Sequence, residues 1–211
     1  MISVIIADDH AVVRTGLHFI FQDCTGIAVK AEADSGDKLL SILQNNTFDA
    51  AIVDMNMPGI SSLDLIARLR DDYPKLPVVV FTMNADDKWA VRSFKSGALA
   101  YINKEENPDE LIRAVKSVVK YKRYLTPRQE SLFANRFIVG VDGVVDHEGL
   151  TDREYQVMCM LADGMTKTDI AHKLQISKNT ISNHRNNILK KLNLANNVAL
   201  TKYALSHQII L

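Results

Sequence analysis

Ala50-Ala51-Ile52-Val53-Asp54-Met55-Asn56-Met57-Pro58-Gly59 is the stretch on which the fold turns. Four apolar residues end abruptly in a carboxylate, and a turn-forming Pro-Gly pair follows. A continuous apolar run of this length reads as a parallel strand buried on both faces. Asp54 then stands at the strand's carboxyl end, on the rim where open α/β sheets bind their ligands. A lone Asp after a strand also serves as a helix N-cap or a turn residue. What else reaches that rim decides between these meanings, because desolvating an unpaired carboxylate is expensive.

Three other stretches reach it. Ile5-Ile6-Ala7-Asp8-Asp9 is an apolar strand ending in two acids, and Val78-Val79-Val80-Phe81-Thr82 is one ending in a hydroxyl. Ala98-Leu99-Ala100-Tyr101-Ile102-Asn103-Lys104 ends in a cation. If the strands are parallel, Asp8, Asp9, Asp54, Thr82 and Lys104 share one edge. Converging carboxylates repel unless a divalent cation sits among them, and all-oxygen ligation suits Mg²⁺. A lysine and a hydroxyl opposite supply what a phosphoryl group needs, charge and a hydrogen bond. The pattern is that of a phosphoryl-transfer site with an aspartate acceptor.

Between the strands lie helical patterns. Val13, Leu17, Ile20 and Phe21 recur at spacings of three and four, so His10 to about Cys24 reads as a helix. Ile27 to Ala33 is a strand, and helices are expected from Ser35-Gly36-Asp37, over Ser62 to Arg70, over Asp86 to Ser96, and from Pro108 through Val119. Gly97 stands where a helix C-terminal glycine belongs, and Pro108 in a first turn. Alternation of this kind predicts an α/β doubly wound parallel five-stranded sheet.

Residues 1 to about 122 resemble a response-regulator receiver domain. Asp8 and Asp9 match that family's acidic pair, Asp54 its phospho-acceptor, Thr82 its switch hydroxyl, Lys104 its lysine and Tyr101 its switch aromatic. The resemblance implies a flavodoxin-like (CheY-like) receiver. In it, Mg²⁺ would be held by Asp9, Asp54 and the backbone carbonyl of Asn56, with Asp8 near by through water. Glu105-Glu106 after Lys104 departs from the small residue or proline usual there.

The 211 residues carry no net charge, but the two ends differ. Residues 1–122 hold 14 Lys/Arg against 17 Asp/Glu, and residues 150–211 hold 8 against 4. A basic tail is a candidate for nucleic acid. Cys24 and Cys159 sit in different halves in apolar company and read as buried thiols of a reducing compartment. No stretch approaches the ~18 apolar residues of a membrane span, and no signal-peptide pattern opens the chain; a cytoplasmic location without membrane partners is expected. Residues 123–149 read as a linker. Gln129 to Arg136 suggests a short helix, Phe137-Ile138-Val139-Gly140-Val141 an apolar segment that packs or pairs, and Asp142-Gly143 a turn.

From Leu150 the pattern is helical throughout. Thr151-Asp152-Arg153-Glu154 is a capping box, ahead of Val157, Met158, Met160 and Leu161. A second helix is expected over Thr166 to Leu174, a tight turn at Gln175-Ile176, and a third helix capped by Ser177 and running to about Leu192. Two helices about a tight turn suggest a helix-turn-helix. A last helix, Asn196 to Gln208, carries Val198, Leu200, Ala204 and Leu205. This half is similar to the LuxR/FixJ-type DNA-binding domain, an all-α helix-turn-helix of four helices. Leu150-Thr151-x-Arg153-Glu154, Asp169-Ile170-Ala171-x-x-Leu174, Ser177-x-x-Thr180-Ile181 and Asn187-Ile188-x-x-Lys191-Leu192 carry the match.

On the third helix, Ile181, Ile188 and Leu192 mark a buried stripe. Lys178, Asn179, Thr180, Ser182, Asn183, Asn186 and Lys190 are the expected DNA-contacting residues. Asn pairs with adenine, Lys with guanine or phosphate, and Ser with either. His184 and Arg185, at the stripe's edge, are expected to be backbone contacts or structural. The last helix corresponds to the family's dimer contact on DNA.

Together these resemblances imply a NarL/FixJ-type regulator with domains at 1–122 and 150–211. Asp54 would be phosphorylated by a sensor histidine kinase, favouring a homodimer on double-stranded DNA with two half-sites, and RNA polymerase is a further candidate partner. Such a protein is not an enzyme with an external product. Two alternatives compete with it. One is a receiver kept only for docking on a phosphorylation-independent regulator. The other is a haloacid-dehalogenase-like phosphatase, which wants a second Asp where Asn56 stands.

Overall fold

The computed structural model describes residues 1–211 except 23, 25, 85, 86, 140–148, 208, 210 and 211. The chain divides into two units, Met1–Ile138 and Val139–Leu211.

The first unit alternates as the hydrophobic pattern demands: β1 (Ile2–Ala7), α1 (Ala11–Gln22), β2 (Ile27–Ala33), α2 (Gly36–Leu43), β3 (Ala50–Val53), α3 (Ser62–Asp72), β4 (Val78–Thr82), α4 (Asp87–Ser96), β5 (Ala100–Asn103) and α5 (Pro108–Val118). The strands form one parallel sheet in the order β2-β1-β3-β4-β5. Strand order reverses between β1 and β3, which opens a crevice at their carboxyl ends. Every residue of β3 and β4 is buried, as a strand covered on both faces requires. One face packs Val4, Ile6, Ile52, Val79 and Ile102 against Leu17 and Phe21 of α1 and Leu111 and Val115 of α5. Each such fully buried side chain contributes roughly 1.5–3 kcal/mol. Between Val4 and Ile5 the β1/β2 register slips by one residue, so Lys30 of β2 has no residue opposite it.

Local chemistry sets the helix ends. Asn107 caps α5 by accepting from the Asp109 N–H, with Pro108 in the first turn. Gly97 closes α4 at φ +122°, where a Cβ would also press on Arg70 at 2.9 Å. Helix α1 begins at Ala11, not His10, because the His10 N–H is taken by the Asp8 carboxylate at 2.9 Å.

An eleventh element was only half visible in the sequence. Helix α6 spans Pro127–Val139, so Phe137-Ile138-Val139 continue a helix and do not form a strand; the Asp142-Gly143 turn falls outside the described residues. Thr126 and Gln129 build a capping box at its start. Gln129 Oε1 accepts from the Thr126 N–H at 3.1 Å, and the Gln129 N–H donates to Thr126 Oγ1 at 3.4 Å. The segment leading into α6 runs beside β5, where the Tyr124 N–H donates to the Leu99 carbonyl at 2.8 Å.

The second unit is helical: α7 (Asp152–Ala162), α8 (Lys167–Leu174), α9 (Lys178–Lys191) and α10 (Asn197–Ser206). Thr151, Thr166, Ser177 and Asn196 cap the four, the first two in full capping boxes. Gln175, left-handed at φ 52°, makes the turn between α8 and α9. The core joins Val157, Met158 and Leu161 to Ile170, Leu174, Ile181, Ile188, Leu200 and Ala204, around a fully buried Tyr155. Val198 and Leu205 of α10 stay exposed. Cys24, just past the end of α1, and Cys159, in α7, are half-buried, less covered than their apolar neighbours suggest. Among the described residues no helix is long and apolar enough to cross a membrane.

Candidate functional site

Backbone ladder bonds carry three side chains to the sheet's carboxyl rim. The Asp8 N–H donates to the Ala33 carbonyl (3.1 Å), that of Asp54 to Ala7 (2.8 Å), and that of Lys104 to Thr82 (2.8 Å). Each site residue is thereby fixed by the strand beside its own. The side chains then converge. Lys104 Nζ lies 2.6 Å from Asp8 Oδ2 and 3.1 Å from Asp54 Oδ1, and all three side chains are almost fully buried. Asp9 and His10 stand at the exposed mouth, their side chains 2.7 Å apart. Ligand atoms of Asp8, Asp9, His10 and Asp54 all fall within 4.8 Å of one another.

The electrostatics of this cluster are unbalanced. One lysine faces two buried carboxylates. Burial is the largest influence on Asp54 and raises its carboxyl above the ordinary pKa; Lys104 opposes this and Asp8 adds to it. Asp54 Oδ2 accepts from the Asn56 N–H at 3.3 Å. Asp54 Oδ1 receives no hydrogen bond, since the Lys104 ammonium is within ion-pair distance but not aligned to donate. A buried carboxylate oxygen in that state fits a cation or a phosphoryl group. Asn56, half-buried, sits in the loop that follows β3.

Thr82 is fully buried at the end of β4, and its Oγ1 accepts from the Asn84 N–H at 3.3 Å. Tyr101 is buried in β5, with its hydroxyl donating to the Asn84 carbonyl at 2.8 Å. The expected receiver residues are thus brought to one rim, with Tyr101 one strand further out.

Sequence reasoning missed the support around them. Arg14 Nη1 donates to the Asp8 carbonyl at 2.7 Å while its Nε binds Glu32 at 2.8 Å, and His18 lies 2.5 Å from the same carboxylate. Burial alone would raise the Glu32 pKa, but the Arg14 and His18 contacts outweigh it and leave it lowered. No sequence signal short of the three-dimensional pairing of β1 and β2 links Arg14 to Glu32. Gln129 was also missed, although Thr126-Pro127-x-Gln129 is a capping-box signature.

On α9, Lys178, Asn179, Asn183, Asn186 and Lys190 are exposed, while Ser182 and Thr180 are half-buried. Thr180 Oγ1 lies 2.8 Å from Ser177 Oγ within the cap. Lys167, from the start of α8, reaches Ser182 Oγ at 3.3 Å, so a cation from a second helix borders this face. Arg185 is turned to Asn197 at 2.6 Å. His184 is held below its ordinary pKa by burial and by the nearby Arg153 guanidinium. Behind the face, Glu154 ties α7 to α9: its Oε2 accepts from the Thr151 N–H at 2.8 Å and from Lys191 Nζ at 2.7 Å.

Known proteins agree with this anatomy. Residues 4–116 match the response regulator receiver domain family, and residues 148–204 match bacterial regulatory proteins of the luxR family. The oxygen regulatory protein NreC of Staphylococcus carnosus is 32% identical over 216 residues, covering 99% of both chains. Response regulator GacA of Pseudomonas aeruginosa is 30% identical, covering 100% of this chain and 98% of its own. Among solved structures, RcsB from Salmonella enterica serovar Typhimurium, bound to promoter rprA with the phosphomimetic BeF3⁻, aligns at TM-score 0.67. It is 26% identical, with 96% of this chain and 97% of that one covered. The chain is therefore a regulator with a receiver and a DNA-binding domain rather than an enzyme, and it belongs to the NarL/FixJ family of two-component response regulators.

Proposed function

We propose that this chain is a cytoplasmic transcription factor switched by phosphorylation of Asp54. The observation that carries this reading is the buried, incompletely partnered Asp54 carboxylate, flanked by Asp8 and Lys104 at the β1/β3 switch point. An Asp54 oxygen attacks the phosphorus of a phosphohistidine on a sensor kinase. An O–P bond forms as the N–P bond breaks, and the leaving imidazole takes up a proton. Asp8, Asp9, Asp54 and the Asn56 carbonyl are the groups that would hold Mg²⁺, and the ion would neutralise charge on the transferring oxygens. Lys104 binds the phosphoryl oxygens from the opposite side. Thr82 turns its hydroxyl to the phosphoryl group, which adds roughly −1.5 to −2 charge and three acceptors, and Tyr101 moves with it.

The activated chain pairs as a homodimer and presents α9 to the major groove of two DNA half-sites. Lys178, Asn179, Ser182, Asn183, Asn186 and Lys190 make the base and phosphate contacts, with Thr180 at the helix start. RNA polymerase is the partner through which bound protein alters transcription. The domain limits that fit this reading are 1–122 and 150–211, joined by 123–149.

Intact mass and sedimentation with Mg²⁺ and acetyl phosphate test the switch. Wild type gains an acid-labile phosphoryl adduct and shifts from monomer to dimer, and Asp54→Asn does neither. An identical oligomeric state in both proteins, unmoved by acetyl phosphate, would overturn it.

A further inference from the structure

An edge strand leaves a row of backbone groups unpaired. Strand β5 is such an edge, yet the chain that leaves the receiver bonds to one carbonyl within it and to one just before it. The Tyr124 N–H donates to Leu99 O at 2.8 Å, and Gln129 Nε2 donates to Tyr101 O at 2.7 Å. Leu99 immediately precedes β5 and Tyr101 lies within it, so the departing chain bonds to this edge at two nearby points. Gln129 is buried and both ends of its amide are used, one on β5 and one on the α6 cap. One ring contact from α6, and one from the segment before it, meet Phe94 of α4. Phe133 meets Phe94 edge-on at 5.6 Å between centroids, and Arg123 lies 5.4 Å from the Phe94 centroid.

The residue under Gln129 is Tyr101, and its neighbours continue toward Asp54. The hydrogen-bonded series runs from Thr82 Oγ1 to the Asn84 N–H, from the Asn84 carbonyl to the Tyr101 hydroxyl, from the Tyr101 carbonyl to Gln129, and so into α6. A cavity of about 30 Å³, lined by Tyr101, Asn103, Thr126 and Gln129 among others, lies at this junction.

We propose that Gln129 is a latch by which β5 holds α6, and that phosphorylation of Asp54 releases it. The proposal rests on the reading of Asp54 as the phosphorylated residue. When the Thr82 hydroxyl is drawn to the phosphoryl group, the Asn84 N–H loses its acceptor and the Asn84 carbonyl withdraws from Tyr101. Tyr101 then moves, its carbonyl leaves Gln129, and the first turns of α6 loosen. The two states are α6 latched and α6 released, each biased by the condition of one carboxylate; such a bistable element is what couples distant sites. Helix α6 precedes the DNA-binding unit in the chain, so its release changes the segment through which the receiver is joined to that unit in sequence.

Amide hydrogen exchange of peptides from residues 127–138, in the full chain with Mg²⁺ and with or without beryllofluoride, tests the latch. Bound beryllofluoride is followed separately by its fluorine resonance. Wild type is expected to exchange about tenfold faster in α6 when beryllofluoride is bound, the effect of losing roughly one net hydrogen bond. Gln129→Ala should exchange at that faster rate without beryllofluoride and respond no further. Gln129→Glu, which keeps the capping acceptor but lacks the donor to Tyr101, should behave the same way. Bound beryllofluoride also verifies that both variants retain a folded receiver. A wild type that binds beryllofluoride with α6 unchanged overturns the latch, as do variants with wild-type exchange. Absence of any bound fluorine signal overturns the Asp54 reading itself, and the latch with it.

Discussion

The two units solve the problem of charge in opposite ways. The receiver buries Asp8, Asp54 and Lys104 together, where each charge is tolerated only because of the others. The helix-turn-helix leaves its polar residues on the outside of α9, where water satisfies any arrangement of them. Buried ions constrain one another, so their geometry limits the chemistry to a few options. An exposed helical face imposes no such limit. Chemistry can be read from the first kind of site, whereas the second yields a list of side chains whose ligand must be found by binding.

The sharpest way to break this contrast is to remove Lys104, the buried cation of the receiver site. Lys104→Met in EDTA should cost about 3 kcal/mol, the usual penalty for stranding a buried charge, read by urea denaturation at pH 7. Mg²⁺ should restore part of it. The pH dependence has a definite sign. The folded state already raises the Asp54 pKa, so the contribution of this group to stability is greatest below its unfolded pKa and declines as pH rises through the folded value. The variant's deficit must therefore grow from acid toward neutral pH. A deficit that stayed constant would mean that the carboxylates do not feel Lys104.

Within the second unit, Glu154 offers an internal comparison, because it is a buried charge with a fixed ionic partner, in the receiver's style. Burial works to raise its pKa, but Lys191 and the Thr151 donors outweigh it and leave the carboxyl below its usual value. Glu154→Gln should cost about 1–2 kcal/mol, between a lost cap and a broken buried pair. The contribution is present above the unfolded carboxyl pKa and vanishes as pH falls through the lower folded one. Equal stability of wild type and variant at pH 7 would reduce the α7–α9 tie to ordinary packing.

The smallest effect is expected on the outer face. Lys178→Gln should leave the melting temperature unchanged. If Lys178 meets a phosphate, the slope of log K against log salt for duplex DNA should fall by about 0.9. An unchanged slope would remove Lys178 from the interface, and with it the orientation assigned to the first turn of α9.

What could be read in the sequence follows the same division. Apolar runs ending in Asp8, Asp54, Thr82 and Lys104 announced both the parallel sheet and its rim, because strand pattern and strand-end chemistry coincide there. The caps at Thr151, Thr166 and Ser177 were legible for a similar reason, each being a local motif of four residues. Arg14 with Glu32, Lys191 with Glu154, and Gln129 with Tyr101 were not, since each partner is chosen by tertiary pairing across 18 to 37 residues. Tyr155 escaped notice because an aromatic among Arg153, Glu154 and Gln156 does not look like the centre of a core. The run Phe137-Ile138-Val139 favours a strand by residue type, yet it extends a helix already started by the box at Thr126 and Gln129.

The slipped register between β1 and β2 has a consequence of its own. Strand β2 is the opposite edge of the sheet, and the slip sets an exposed lysine, Lys30, into its middle with no partner across the ladder. A kinked edge carrying a charge is a poor template for a foreign strand. For a protein proposed to join a second copy only on command, such an edge discourages the unregulated joining, sheet to sheet, that would otherwise compete with the signal.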